Sequence, residues 1–289
     1  MGVKKKRPSV LRTLSGTARL AGVVGWPVAH SLSPRLHGYW LQAYGVDGAY
    51  VPLPVRPEDF PACVQALPRM GFAGVNVTVP HKEAALKAAD RADAWAEHVG
   101  AANTLVFAGG WIEARNTDAF GFIENIRASF AGWTAKTGPA AVLGAGGAAR
   151  AVVAALIEAG APEVRLINRT PERAKAVAAH IGGPIRVVPW EERSRSLAGA
   201  ALLVNTTTQG MTGEPALDLA LDALPAGAIV NDIVYVPLET PLLAAARARG
   251  NTVVDGLGML LHQARPGFAA WFGREPEVDE ALRRHVLGG

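Results

Sequence analysis

Short apolar runs rich in Val, Leu and Ile alternate along the chain with stretches whose apolar positions recur at helical spacing. Such alternation marks βα units feeding a mostly parallel sheet, because a strand covered by helices on both faces is apolar throughout. Strands are expected near 20–25, 49–54, 72–78, 102–107, 110–115, 140–144, 163–168, 185–188, 201–205, 229–233 and 252–254. Helices fill most of the gaps. Ser33-Pro34 and Thr170-Pro171-Glu172 read as helix starts with proline in the first turn. Residues 132–139 carry turn formers and no periodicity, so a connection between domains is expected at or just before them. A length of 289 residues suits two domains, each with its own core.

Composition narrows the class. With 49% hydrophobic and 19% charged residues the chain is globular, and its 32 Gly and 20 Pro predict many tight connections. A single cysteine, Cys63, cannot form an intrachain disulfide or a cysteine-built zinc site, so a reducing compartment, the cytoplasm, is expected. Lys4, Lys5, Lys6, Arg7 and Arg12 outweigh the whole net charge of +4, which leaves the remainder near neutral. A near-neutral body offers no basic face to nucleic acid, and the start reads as a solvated arm. No apolar run reaches the length of a membrane span.

The first chemical signal is the segment 140–150, an apolar strand that runs into Gly144-x-Gly146-x-x-Ala149 and then an Ala- and Val-rich helix. Gly144 permits a tight turn, Gly146 lets the backbone approach a pyrophosphate, and Ala149 lets helix and strand pack closely. A glycine-rich turn without a ligand is the alternative. The next strand ends in Asn168-Arg169-Thr170, with Arg173 one turn on. An acid at that place would bind a free ribose 2′-hydroxyl, whereas guanidiniums suit a 2′-phosphate, so NADP is favoured over NAD. Read structurally, the two arginines are surface charges near helix ends.

In the N-terminal half, Ser31 and Ser33 stand in the loop before a helix, where hydroxyls and free backbone N–H groups suit a carboxylate. Asn76-Val-Thr78-Val-Pro80-His81-Lys82 ends a strand, Asn103-Thr104 begins one, and Asn116-Thr117-Asp118 follows one. In a parallel sheet such strand ends converge on one crevice.

Taken in order with Asn205-Thr206-Thr207 and Asp255-Gly256-Leu257-Gly258-Met259 to Gln263, these motifs resemble the shikimate dehydrogenase family from about Leu20 onward. The resemblance implies an α/β fold in which an N-terminal substrate domain with a mostly parallel sheet precedes a Rossmann-type NADP-binding domain. It implies boundaries of 18–117 for the first, completed by C-terminal helices at 258–289, and 118–257 for the second, with 1–17 a disordered basic tail. The implied activity is reversible NADPH-dependent reduction of 3-dehydroshikimate to shikimate in aromatic amino-acid biosynthesis. Ser31 and Ser33 would hold the substrate carboxylate and Tyr235 would reach the same end. Thr78, Asn103, Asp118 and Gln263 would bind ring hydroxyls, and Lys82 and Asp118 would form the reacting pair. Gly144, Ala145, Gly146, Gly147 and Ala148 would cradle the pyrophosphate. Asn168, Arg169, Thr170 and Arg173 would surround the adenosine phosphate, with Ile233 and Gly256 near the nicotinamide. A homodimer is allowed but not required. Gly38, where the family usually carries Asn, is a departure that bears on local helix packing.

Reducing a ketone needs a hydride on carbon and a proton on the developing alkoxide, so an acid must reach that oxygen. No metal constellation offers itself, and His30, His37, His81 and His98 read as surface or packing histidines. A lysine can supply the proton: burial in a cleft eases its release, while a neighbouring carboxylate opposes that and fixes the ammonium's direction. Alone, Lys82 reads as a solvated cation and Asp118 as a helix N-cap; motif order favours chemistry for both. Met259, Phe268 and Trp271 fall at core spacing on one helix and are expected to pack. The rival readings are a quinate/shikimate dehydrogenase that uses either cofactor, a folate-linked dehydrogenase, and a non-catalytic nucleotide-sensing paralogue, which should have lost Lys82 or Asp118.

Overall fold

The computed structural model describes residues 13–288. The first sheet contains β1 (Arg19–Gly25), β2 (Gly48–Pro54), β3 (Phe72–Val77), β4 (Arg91–Ala92), β5 (Thr104–Ala108) and β6 (Trp111–Arg115). Its order is β2-β1-β3-β5-β6-β4, and only β5 runs against its neighbours. The helices α1 (Ser33–Ala43), α2 (Phe60–Ala66), α3 (Lys82–Ala88) and α4 (Ala94–Val99) connect these strands. The second sheet, β7 (Ala140–Leu143), β8 (Val164–Ile167), β9 (Ile185–Val188), β10 (Leu202–Asn205), β11 (Ile229–Asp232) and β12 (Thr252–Val254), is parallel throughout. Its order β12-β11-β10-β7-β8-β9 is the doubly wound arrangement of dinucleotide-binding sheets, whose switch point lies between β7 and β10.

Six further helices cover the sheets: α5 (Asp118–Ser129), α6 (Gly147–Glu158), α7 (Pro171–Ile181), α8 (Pro241–Ala248), α9 (Leu257–Phe272) and α10 (Glu280–Leu287). Ala151 to Leu156 of α6 are all buried, as a helix apolar on every side must be, and they pack against Val142, Val164 and Val204 of the second sheet. The last two helices return to the first sheet. Leu261, Phe268 and Trp271 of α9 and Leu282 of α10 share a cluster with Ala21, Leu36 and Trp40. The Trp271 indole donates to the Leu105 carbonyl at 3.0 Å and crosses Gly74 so closely that any side chain there would collide with the ring. Truncating a buried Trp or Phe at this seam costs about 3–5 kcal/mol.

Four sequence expectations need adjustment. Two residues are too few for a periodic pattern, so β4 was not foreseen. Asp118 is the first residue of α5 rather than its N-cap; Thr117 holds the cap position, and the Asp118 N–H donates to Asn116 Oδ1 at 3.1 Å. The expected tail ends before residue 17, because Ser15 N–H donates to Asp47 Oδ1 at 3.3 Å and its hydroxyl donates to Oδ2. Residues 1–12, with the basic cluster, lie outside the described residues. A side chain at Gly38 would meet nothing within 4 Å, so that departure leaves the packing of α1 undisturbed. Among the described residues no helix is long and apolar enough to cross a membrane.

Candidate active site

A cavity of about 430 Å³ opens between the C-terminal strand ends of the two sheets. Ser31, Ser33, Thr78, Lys82, Asn103 and Asp118 line it from the first sheet, facing Tyr235 after β11 and Gln263 on α9. Lys82 opens α3, whose start is set by the turn in which His81 N–H donates to the Thr78 carbonyl at 2.9 Å.

Lys82 Nζ stands 2.5 Å from Asp118 Oδ2, with the two side chains 15% and 6% exposed. A pair this secluded keeps more of its attraction than a surface pair. The other carboxylate oxygen, Oδ1, accepts from Asn103 Nδ2 at 2.9 Å. That same amide reaches Thr117 Oγ1 at 2.9 Å and Gln263 Oε1 at 3.0 Å, so its two protons are shared among three acceptors. Asn103 Oδ1 in turn accepts from Thr117 N–H at 2.8 Å. Thr117 Oγ1 also donates to the Gln263 carbonyl at 2.8 Å. One network therefore ties together five side chains, Lys82, Asp118, Asn103, Thr117 and Gln263, and joins the first sheet to α9.

At the other end of the cavity Ser33 N–H donates to Ser31 Oγ at 3.3 Å. Beneath them, Tyr50 Oη donates to Asn76 Oδ1 at 2.6 Å, and Asn76 Nδ2 continues to Thr104 Oγ1 at 3.2 Å. Burial raises the phenols of Tyr50 and Tyr235 above their ordinary values, so both remain protonated donors at neutral pH. His37 is enclosed and stacks on Tyr50 with ring centroids 3.9 Å apart. His81 stacks on Phe60, and its Nε2 lies 2.8 Å from the Val55 carbonyl. Both are packing histidines, as expected. Among the described residues no group of three or more His, Cys, Asp or Glu could hold a metal ion.

The glycine loop reaches the cavity wall at Ala148. Gly144 has φ +111°, and a β-carbon there would come within 2.5 Å of Thr206 Oγ1, so only glycine fits. A β-carbon at Gly146 would meet nothing within 4 Å, leaving open space before the N-terminus of α6. At Gly147 it would approach Lys82 Cδ to 3.1 Å, so the loop abuts the lysine. Ala145 is buried, while Ala148, Ile233 and Gly256 lie on the cavity wall. Asn168, Arg169, Thr170 and Arg173 sit outside the cavity at the neighbouring end of β8 and the start of α7, and both arginines are exposed. Thr170 makes no capping bond with its side chain.

Several wall residues were not singled out from sequence. Thr208, Met211 and Thr212 line the cavity; so do His30, expected only at the surface or in packing, and Thr206, noted only within its motif, while Met259 packs as expected and also faces the cavity. Asn76, expected at this crevice from its place with Thr78 at a strand end, also lies on the wall.

A doubly wound sheet whose glycine loop abuts a half-buried lysine paired with a buried carboxylate on a cleft wall defines a nucleotide-dependent oxidoreductase. Comparison with known proteins gives the family. Models of the shikimate dehydrogenase substrate binding domain, shikimate / quinate 5-dehydrogenase and the shikimate 5'-dehydrogenase C-terminal domain match residues 23–105, 127–212 and 256–284. Shikimate dehydrogenase (NADP(+)) of Paramagnetospirillum magneticum is 64% identical over 95% of this chain and 100% of its own length. Shikimate 5-dehydrogenase of Thermus thermophilus, solved with NADP(H) and shikimate, superposes with TM-score 0.82 at 42% identity over 92% of this chain and 99% of that one. Quinate dehydrogenase of Corynebacterium glutamicum, solved with NAD, gives 0.85 at 30% identity over 93% and 99%. The chain belongs to the shikimate dehydrogenase family.

Proposed function

We propose that this protein interconverts 3-dehydroshikimate and shikimate with NADP in aromatic amino-acid biosynthesis. The observation that carries the reading is the Lys82–Asp118 pair at 2.5 Å, set in a cleft wall against the glycine loop. Lys82 Nζ gives its proton to the substrate oxygen during reduction and takes it back during oxidation. Asp118 holds the ammonium through Oδ2, and with Asn103 and Gln263 it receives the neighbouring ring hydroxyls. Ser31 and Ser33 hold the substrate carboxylate, helped by the Tyr235 phenol, while Thr78 binds a ring hydroxyl. Carboxylate and reacting oxygen are thereby held at opposite ends of one rigid site.

The residues present fit NADP: open space at a helix N-terminus for the pyrophosphate, and two exposed guanidiniums with no acid at the end of β8. Gly144 to Ala148 would hold the pyrophosphate, Asn168, Arg169, Thr170 and Arg173 the adenosine phosphate, and Ile233 and Gly256 the nicotinamide end. When bound, NADP supplies or accepts the hydride at the carbon bearing the reacting oxygen. Residues 18–117 with 258–289 form the substrate-binding domain and 118–257 the cofactor domain, a division supported by the two sheets. Helix α5 packs on both α9 and α6 and so links them. The lone Cys63 suits the cytoplasm.

Shikimate and quinate, each offered with NADP and with NAD while reduced nicotinamide is followed by absorbance, test the reading. Shikimate with NADP should turn over fastest. No oxidation of shikimate with either cofactor would overturn it.

A further inference from the structure

Asp232 ends β11 with its side chain wholly enclosed, and no ion pair among the described residues involves it. Burying a carboxylate without a cation is costly, so packing alone would favour an apolar residue. Its partners are instead three neutral donors: Asn205 Nδ2 at 3.0 Å and Val234 N–H at 3.0 Å on Oδ1, and Thr240 Oγ1 at 2.7 Å on Oδ2.

Each donor belongs to a different segment. Val234 lies in the loop that carries Ile233 and Tyr235 onto the cavity wall. Asn205 precedes the loop that carries Thr206, Thr207 and Thr208 onto it. Asn205 Oδ1 accepts from Thr207 N–H at 3.0 Å and Thr207 Oγ1 at 2.8 Å, and its Nδ2 reaches the Gln209 carbonyl at 3.2 Å. Thr240 caps α8, accepting from Leu243 N–H at 3.3 Å while donating to Asp232. The two loops also meet directly, Thr212 N–H donating to the Val236 carbonyl at 2.9 Å.

We infer that Asp232, acting through Asn205 and Val234, is a positioning residue that holds the two cofactor-side loops of the cavity in binding geometry. A carboxylate suits the task because its two oxygens accept from three donors at once; an amide has one acceptor oxygen and would turn a donor toward Asn205 or Thr240. This inference rests on the reading of the cavity as the site for NADP and shikimate.

The test uses Asp232→Asn, Thr240→Val and Thr240→Ser in the full chain, measured well below their melting temperatures. Asp232→Asn should raise KM for both NADP and shikimate by about tenfold or more, the scale of a lost hydrogen bond to a charged group. The NADP Kd from calorimetry should rise with it. Thr240→Val should show a smaller rise, and Thr240→Ser, which keeps the hydroxyl, should match the wild type. A lowered melting temperature with both KM values and the Kd within twofold of wild type would make Asp232 a stability residue only and overturn the inference. If Asp232→Asn does not fold, Asn205→Ala decides: it leaves the carboxylate two donors and releases the 206–209 loop, so wild-type binding in that variant would equally overturn it. Failure of the wild type to oxidise shikimate would sink the functional reading, whereas the NADP Kd would still decide the role of Asp232.

Discussion

A β-carbon at Gly121 would stand 2.6 Å from Cβ of Gln263 and 2.8 Å from the Met259 carbonyl oxygen. Helices α5 and α9 therefore meet backbone to backbone, and this contact brings Gln263 to Asn103. Gly121→Ala must push α9 outward. We expect a stability loss of about 1–3 kcal/mol, as for overpacked cores, and a raised KM for shikimate with the NADP constant nearly unchanged. Chemical denaturation and steady-state kinetics check this; an unaltered shikimate KM would show that Gln263 does not contact substrate.

Lys82 should carry the proton. Lys82→Ala, and Lys82→Met, which keeps length without charge, should lower kcat by about a hundredfold to ten-thousandfold with little change in substrate affinity. Asp118→Asn should lose turnover and also weaken shikimate binding. A Lys82→Ala enzyme with intact kcat and a raised KM would make the lysine a binding group.

Arg169 should select the cofactor. Replacing it with Ala should weaken NADP use by about ten- to a hundredfold, the scale of a charged hydrogen bond, while NAD use stays nearly constant. Equal losses with both cofactors would show that Arg169 does not read the 2′-phosphate.

Ser31 should anchor the carboxylate. Ser31→Ala should raise KM for shikimate far more than that for NADP. Kinetics with each substrate varied in turn decide it, and an unchanged shikimate constant would remove Ser31 from the carboxylate site.

His37 should make the fold sensitive to acid. Burial lowers its pKa from 6.5 to about 3, and neither ring nitrogen meets a partner in bonding geometry. The native ring stays neutral where the unfolded chain takes up a proton. Stability from this group is therefore complete above pH 6.5 and is lost as pH falls toward 3, at about 1.4 kcal/mol per pH unit. His37→Phe, which keeps a ring on Tyr50, should reduce the stability lost between pH 7 and pH 5 by about 2 kcal/mol. Equal pH slopes for the two proteins would contradict this.

Local pattern alone located every strand except β4, since an apolar run bounded by turn residues needs no distant information. The glycine loop was equally legible, because Gly144 answers to its own φ. Ser31, Ser33, Thr78, Lys82, Asn103 and Asp118 could be placed at one crevice because strand ends of a parallel sheet converge, whereas Tyr235 and Gln263 were named only through the family resemblance. Tertiary structure alone decided which of them touch. It set Asn103 between Thr117, Asp118 and Gln263, turned Met259 toward the cavity as well as the core, and brought Met211 and Thr212 onto the wall. It also gave Asp232, which no local pattern marks out, three donors from three segments. The division follows from range: propensity and periodicity act over one or two helical turns, whereas a site joins groups far apart in sequence whose meeting depends on how both sheets and α9 pack.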